Sequence, residues 1–182
     1  MSRSLTRSFA LVAACFAVLA LPSSALAAGC PDADAKPGSI SQKRFSRATV
    51  CLVNQERAKH GLRKLRLQKR LSKAARSHTR DMVRNRYFSH SSRSGGDVVS
   101  RLRGTGYMRG ARRWTVGENL AWGSGGQGTP RSIVAAWMRS PGHRANILAG
   151  SFREMGIGVL FGAPKAIGRA AATFTTTFGA RS

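Results

Sequence analysis

The stretch Ser140-Pro141-Gly142-His143-Arg144-Ala145-Asn146-Ile147-Leu148 decides how this chain is read. Just before it, Thr129-Pro130 places an N-cap residue ahead of a proline at the first helical position, and Ser140-Pro141 repeats that signal at once. Two helices in immediate succession follow: one through about Arg139 with Ile133, Ala136 and Trp137 inward, and a shorter one carrying His143 in its first turn. On either side the period changes from helical to two. Trp114, Val116, Glu118, Leu120 and Trp122 alternate with small or polar residues, which predicts a strand with Glu118 on the tryptophan face. Downstream, Met155, Ile157, Val159 and Phe161 alternate, as do Ala172, Phe174, Thr176 and Phe178, with 164–169 as the separator.

Earlier in the chain the pattern is helical. Val50, Val53, Arg57 and Ala58 recur at helical spacing over 46–60, and Gly61 suits the left-handed position that ends a helix. Leu71, Ala74, Ala75, His78 and Met82 form one stripe of a second helix over 68–86, and Asp97 can cap a short helix through Arg103. Gly123 to Gly128 reads as a flexible glycine loop. Helices first and strands last predict an α+β fold, a small antiparallel sheet covered by helices.

Three polar islands punctuate this frame: Phe88-Ser89-His90, Gly117-Glu118-Asn119 and the His143 stretch. Imidazole and carboxylate are the groups from which divalent-metal sites and acid/base pairs are built, so His90, Glu118 and His143 are candidates for one cleft. Three such ligands leave a fourth position for water, the ligand count of a catalytic zinc site. Without a metal, the same trio binds a polar group by hydrogen bonds. His78, on an apolar stripe, reads as a core histidine, and His60 as a surface one. Asn119 and Asn146 are expected to bond backbone groups, while Glu154 is a nearby acid whose spacing does not say which way it turns. No Gly-x-Ser-x-Gly elbow supports a serine nucleophile.

These islands, with Val53-Asn54-Gln55-Glu56-Arg57, Trp137-Met138-Arg139 and Met155-Gly156-Ile157-Gly158-Val159, resemble the bacterial branch of the CAP superfamily, over about residues 46–180. That superfamily includes cysteine-rich secretory proteins, antigen 5 and pathogenesis-related class 1 proteins. The resemblance implies an α-β-α sandwich, an extracellular role and a central cleft in which many members set two histidines and two glutamates around a divalent metal such as zinc. Here the first histidine is His90, the first glutamate Glu118 and the second histidine His143. The second glutamate's position, three after Trp137, holds Ser140, so the tetrad is incomplete and Ser140 is a cleft residue without the charge.

The rest of the chain bounds the setting. Arg3 and Arg7 precede an apolar run to Leu21, and Ala25-Leu26-Ala27 ends it with small residues two apart, which predicts a secretory signal over 1–27. The run is too short to span a bilayer. About 155 residues remain, one domain's length: an irregular arm over 28–45 and a CAP domain over 46–182. Cys15 leaves with the signal, and in an oxidising compartment Cys30 and Cys51 are expected to pair. The alternative is a free Cys51, with Cys30 unpaired or lipid-anchored; an alanine before Cys30 where lipoprotein signals usually carry leucine weighs against the anchor.

Charge is extreme, with 31 Lys and Arg against 7 Asp and Glu and a net of +24. Nucleic acid is disfavoured, because aromatic residues do not interleave with the basic ones and export removes the chain from chromosomal DNA. Anionic envelope polymers or lipids fit better. The expected protein is a secreted monomer acting as an envelope or extracellular module that binds a small-molecule or lipid ligand. The alternatives are a metal-assisted hydrolase using the same cleft, and a basic surface binder.

Overall fold

The computed structural model describes residues 29–166 and 170–182, so the expected signal segment 1–27 lies outside the described residues. Its elements run α1 (Gln42–Lys59), β1 (Arg66–Leu67), α2 (Lys69–Arg84), α3 (Val98–Gly104), β2 (Trp114–Ser124), α4 (Pro130–Arg139), α5 (Pro141–Leu148), β3 (Glu154–Phe161) and β4 (Ala171–Arg181). The strands form one sheet in the order β1-β3-β4-β2. The β3–β4 and β4–β2 pairs are antiparallel, as expected. A two-residue parallel edge, Arg66 opposite Glu154 and Leu67 opposite Met155, completes the sheet.

Helices cover both faces, which gives the α-β-α sandwich. On one side Met155, Ile157 and Val159 meet Phe174 and Phe178 beneath Phe45, Leu52 and Val53 of α1 and Ile133 and Trp137 of α4. On the other, α2 lies directly on β3 because Gly156 and Gly158 have no side chains. A Cβ there would sit 2.2 Å from the Leu71 carbonyl carbon or 2.5 Å from that of Ala75. Threonines of β4 serve the same face, Thr177 Oγ1 donating to the Leu71 carbonyl (3.1 Å) and Thr79 Oγ1 of α2 to Thr175 Oγ1 (2.8 Å). β4 is thus buried on both faces, which explains its near-continuous apolar and threonine composition.

Helix α1 begins one turn before the expected 46, so the irregular arm ends at Ser41, whose hydroxyl accepts from the Arg44 amide at 3.4 Å. The missed turn buries Phe45, which continues the Ala48, Thr49 and Leu52 face upstream. The arm is pinned at several points. Cys30 and Cys51 form a disulfide, Asp32 pairs with Arg44, Asp34 pairs with Arg131 (2.7 Å), and the Ala33 carbonyl accepts from the Arg131 amide. The glycine run expected to be a flexible loop is instead a 3-10 turn (Gly125–Gly128), its Gly126 carbonyl accepting from the hydroxyls of Thr129 and Ser132.

Candidate functional site

Two of the polar islands are stitched together through asparagines. Asn146 of α5 donates to the Glu118 carbonyl (3.1 Å) and to Asn119 Oδ1 (2.9 Å), and Asn119 donates to the His143 carbonyl (3.0 Å). Gly117 makes room for this: a Cβ at that position would lie 2.8 Å from Asn146 Oδ1. The Gly-Glu-Asn and Ser-Pro-Gly-His-Arg-Ala-Asn strings are therefore two halves of one splice between β2 and α5. Both asparagines bond backbone groups, as their composition suggested.

The splice sets Glu118 on the α3 side of β2. Its side chain is 2% exposed and is met by two donors: His90 Nδ1–H at 2.9 Å from Oε1, and Arg101 Nη2 at 2.9 Å from both oxygens. Arg101, itself 11% exposed, also donates to the carbonyls of His90 (2.9 Å) and Gly96 (3.0 Å), so α3 clamps the loop that carries His90. With Nδ1 spent on Glu118, His90 turns Nε2 outward on a side chain 59% exposed.

His143, in the first turn of α5, is half-buried. Burial chiefly, and then the neighbouring His90, push its pKa below the usual imidazole value, which favours the neutral ring. Ser140 marks the α4–α5 junction and does not cap α5 through its hydroxyl. His78 is buried, as read; its Nε2–H donates to the Ser89 carbonyl (2.9 Å) behind the site. Burial, and secondarily Arg101, lower its pKa too.

Between β2 and α4 lies a cleft of about 640 Å³, and His90, Glu118, His143 and Ser140 are not among its lining residues. Phe88, Leu120 and Trp122 form its apolar wall, and Ala135, Ala136 and Arg139 of α4 close the other side. Ala136, expected inward, faces this cleft instead.

Two residues that the sequence reading did not assign to the site support it. Arg101 is one. Arg57 is the other: it is buried and donates to the carbonyls of Ile147 (2.7 Å) and Ala149 (3.0 Å), capping the C-terminus of the His143 helix with a cation. Arg57 carried a signal, an arginine in an apolar helical register. Arg101 carried none in a chain so rich in arginine.

The resemblance implied a divalent metal, and the donor set tests that. Both oxygens of Glu118 are engaged by a guanidinium that already supplies the positive charge. Among the described residues, no group of three or more His, Cys, Asp or Glu side chains is gathered closely enough to hold a metal ion. The residues present do not fit a metal at this position.

A helix-covered sheet with a histidine- and glutamate-bearing edge defines the SCP-type class of domain. Residues 50–167 match the cysteine-rich secretory protein family, CAP, and the chain belongs to that family. It is 39% identical over 122 residues to the YkwD protein of Bacillus subtilis (strain 168), an alignment that covers 67% of this chain and 44% of YkwD. An extracellular protein containing an SCP domain from Bacillus anthracis str. Ames superimposes with a TM-score of 0.58 at 25% identity, over 78% of this chain and 44% of that one. An outer surface protein from Borrelia burgdorferi shares the fold, with a TM-score of 0.65 at 22% identity over 79% and 97% of the two chains. The chain thus spans less than half the length of YkwD and of the anthracis protein. Among the described residues no helix is long and apolar enough to cross a membrane.

Proposed function

We propose that this chain is a secreted CAP-domain module that binds an amphiphilic ligand, a small molecule or lipid, outside the cell or in its envelope. The observation that carries this reading is the cleft between β2 and α4, whose apolar wall includes Phe88 and Leu120, each two residues along the chain from a member of the His90–Glu118 pair. The apolar part of a ligand is removed from water against that wall, and its polar end meets His90 Nε2 and the neutral His143 ring. Glu118 and Arg101 cancel each other's charge and hold His90 in one tautomer. Secretion rests on the 1–27 signal and on the disulfide, and intact mass of exported protein tests it: a mass retaining 1–27 rejects it.

Titration with a fluorescent fatty acid tests the cleft. Wild type is expected to bind one equivalent, and Ala136→Trp, which fills the cleft from α4, to lose it. Equal binding by both proteins rejects the cleft as the ligand site. The metal-assisted hydrolase requires Arg101 to release Glu118, and no observed contact favours that.

A further inference from the structure

Where β2 begins and β4 ends, arginines outnumber carboxylates. Arg66, Arg109, Arg153 and Arg181 line a cleft of about 380 Å³. Arg113, Trp114, Arg153 and Arg181 line an adjoining one of about 350 Å³. The two share Arg153 and Arg181, so they form one continuous concave surface. Glu154 supplies the one carboxylate side chain among the lining residues, and it is already engaged: it accepts from Tyr107 Oη–H at 2.8 Å and lies 3.7 Å from Arg66.

Several of these guanidiniums are held in place. Arg181 stacks over the Tyr107 ring at 5.2 Å, and Arg153 donates to the carbonyls of Phe152 (3.0 Å) and Gly150. Tyr107 is fully buried, and its ring and hydroxyl tie the Arg181 and Glu154 positions together. Arg66, Arg109, Arg113, Trp114, Arg153 and Arg181 are all exposed. Positioned arginines lose less freedom on binding than free ones, and each guanidinium fork matches two oxygens of a phosphate.

We infer that this surface is a binding site for a linear phosphate-bearing polyanion, separate from the His90 cleft and independent of the ligand proposed for it. Charge complementarity names the sign of the occupant, and shape narrows the class. A concave surface meets a chain-like occupant over more of its arginines than a planar bilayer. Two clefts that share Arg153 and Arg181 suit an occupant whose successive anions are closely set, and guanidinium forks match the oxygens of an oligophosphate.

Calorimetry with inorganic triphosphate at low and high salt tests this on the exported chain, against two charge-reversal variants of equal net charge. Arg109→Glu/Arg113→Glu alters the rim of this site. Arg47→Glu/Arg76→Glu alters exposed arginines of the α1–α2 groove instead. The expected result is saturable binding to wild type, weakened about tenfold or more by the rim pair and about unchanged by the groove pair. Circular dichroism establishes that each variant is folded. If the rim pair does not fold, Arg109→Ala/Arg113→Ala takes its place with the same expectation. Equal losses in both pairs would reduce the binding to net charge and overturn the proposal. So would absence of triphosphate binding, whether or not phosphatidylglycerol vesicles or a polygalacturonate oligomer bind, since those outcomes assign the surface to a membrane, to a carboxylate polymer or to neither.

Discussion

Glu118 and Glu154 flank β4 on the same face of the sheet, opposite Thr177 and Gly179, and each meets an arginine and one further donor. At Glu118 the match is complete: carboxylate, Arg101 and His90 are within 2.9 Å and the carboxylate is almost fully buried. At Glu154 it is loose: Arg66 is 3.7 Å away and 80% exposed, and three further arginines line the same cleft. In a chain with this surplus of cations, a paired carboxylate closes a site to another cation. A carboxylate outnumbered by arginines leaves a site open to anions.

The largest expected effect comes from breaking the tighter of the two pairs. Glu118→Gln strands Arg101 among buried groups and should cost about 3–5 kcal/mol in urea unfolding. Pairing it with Arg101→Met should recover part of that loss, because an apolar side chain needs no counter-charge. If Glu118→Gln were neutral, the ion pair would not be the organising contact of this site. Glu154→Gln keeps an acceptor for Tyr107 and loosens a long pair whose arginine is exposed, so about 1 kcal/mol or less is expected by the same measurement.

Acid should also distinguish the two sites. His78 and His143 both have folded-state pKa values below the ordinary imidazole value, so in acid the unfolded chain binds more protons than the folded one. Stability from their neutral forms is present in full above about pH 6.5 and falls as pH drops below it toward the folded values. His78 Nε2–H is committed to the Ser89 carbonyl and its buried Nδ1 has no partner, so protonation there places a new N–H where nothing accepts it. His78→Phe should flatten the dependence of urea stability on pH in that window; an unchanged slope would remove His78 as a source. No histidine lines the arginine-rich clefts, so Arg109→Glu/Arg113→Glu should leave the slope as it is.

The two glutamate sites were also unequally legible in the sequence. His90, Glu118 and His143 stood in short distinctive strings, and alternation placed Glu118 on a strand. The structure brings His90 against Glu118 directly and links His143 to the same splice through Asn119. Arg101 was invisible because its value lies in where α3 lands, and one arginine among so many has no local pattern. Glu154 showed a related problem: its spacing did not say which way it turns, and its partners Tyr107 and Arg66 come from distant segments. The first turn of α1 was missed for a local reason, since Gln42-Lys43-Arg44 hid Phe45 behind three polar residues. The parallel edge at Arg66 and Leu67 has only two residues, too few for any period to show.

Central to this account is that Arg101 already neutralises Glu118, so the edge of the cleft accepts a polar group and not a metal. Calorimetric titration of chelator-treated protein with zinc tests it most directly. The account predicts no saturable heat, and no difference between wild type and His143→Ala. One zinc bound per chain, lost on His143→Ala, would contradict it.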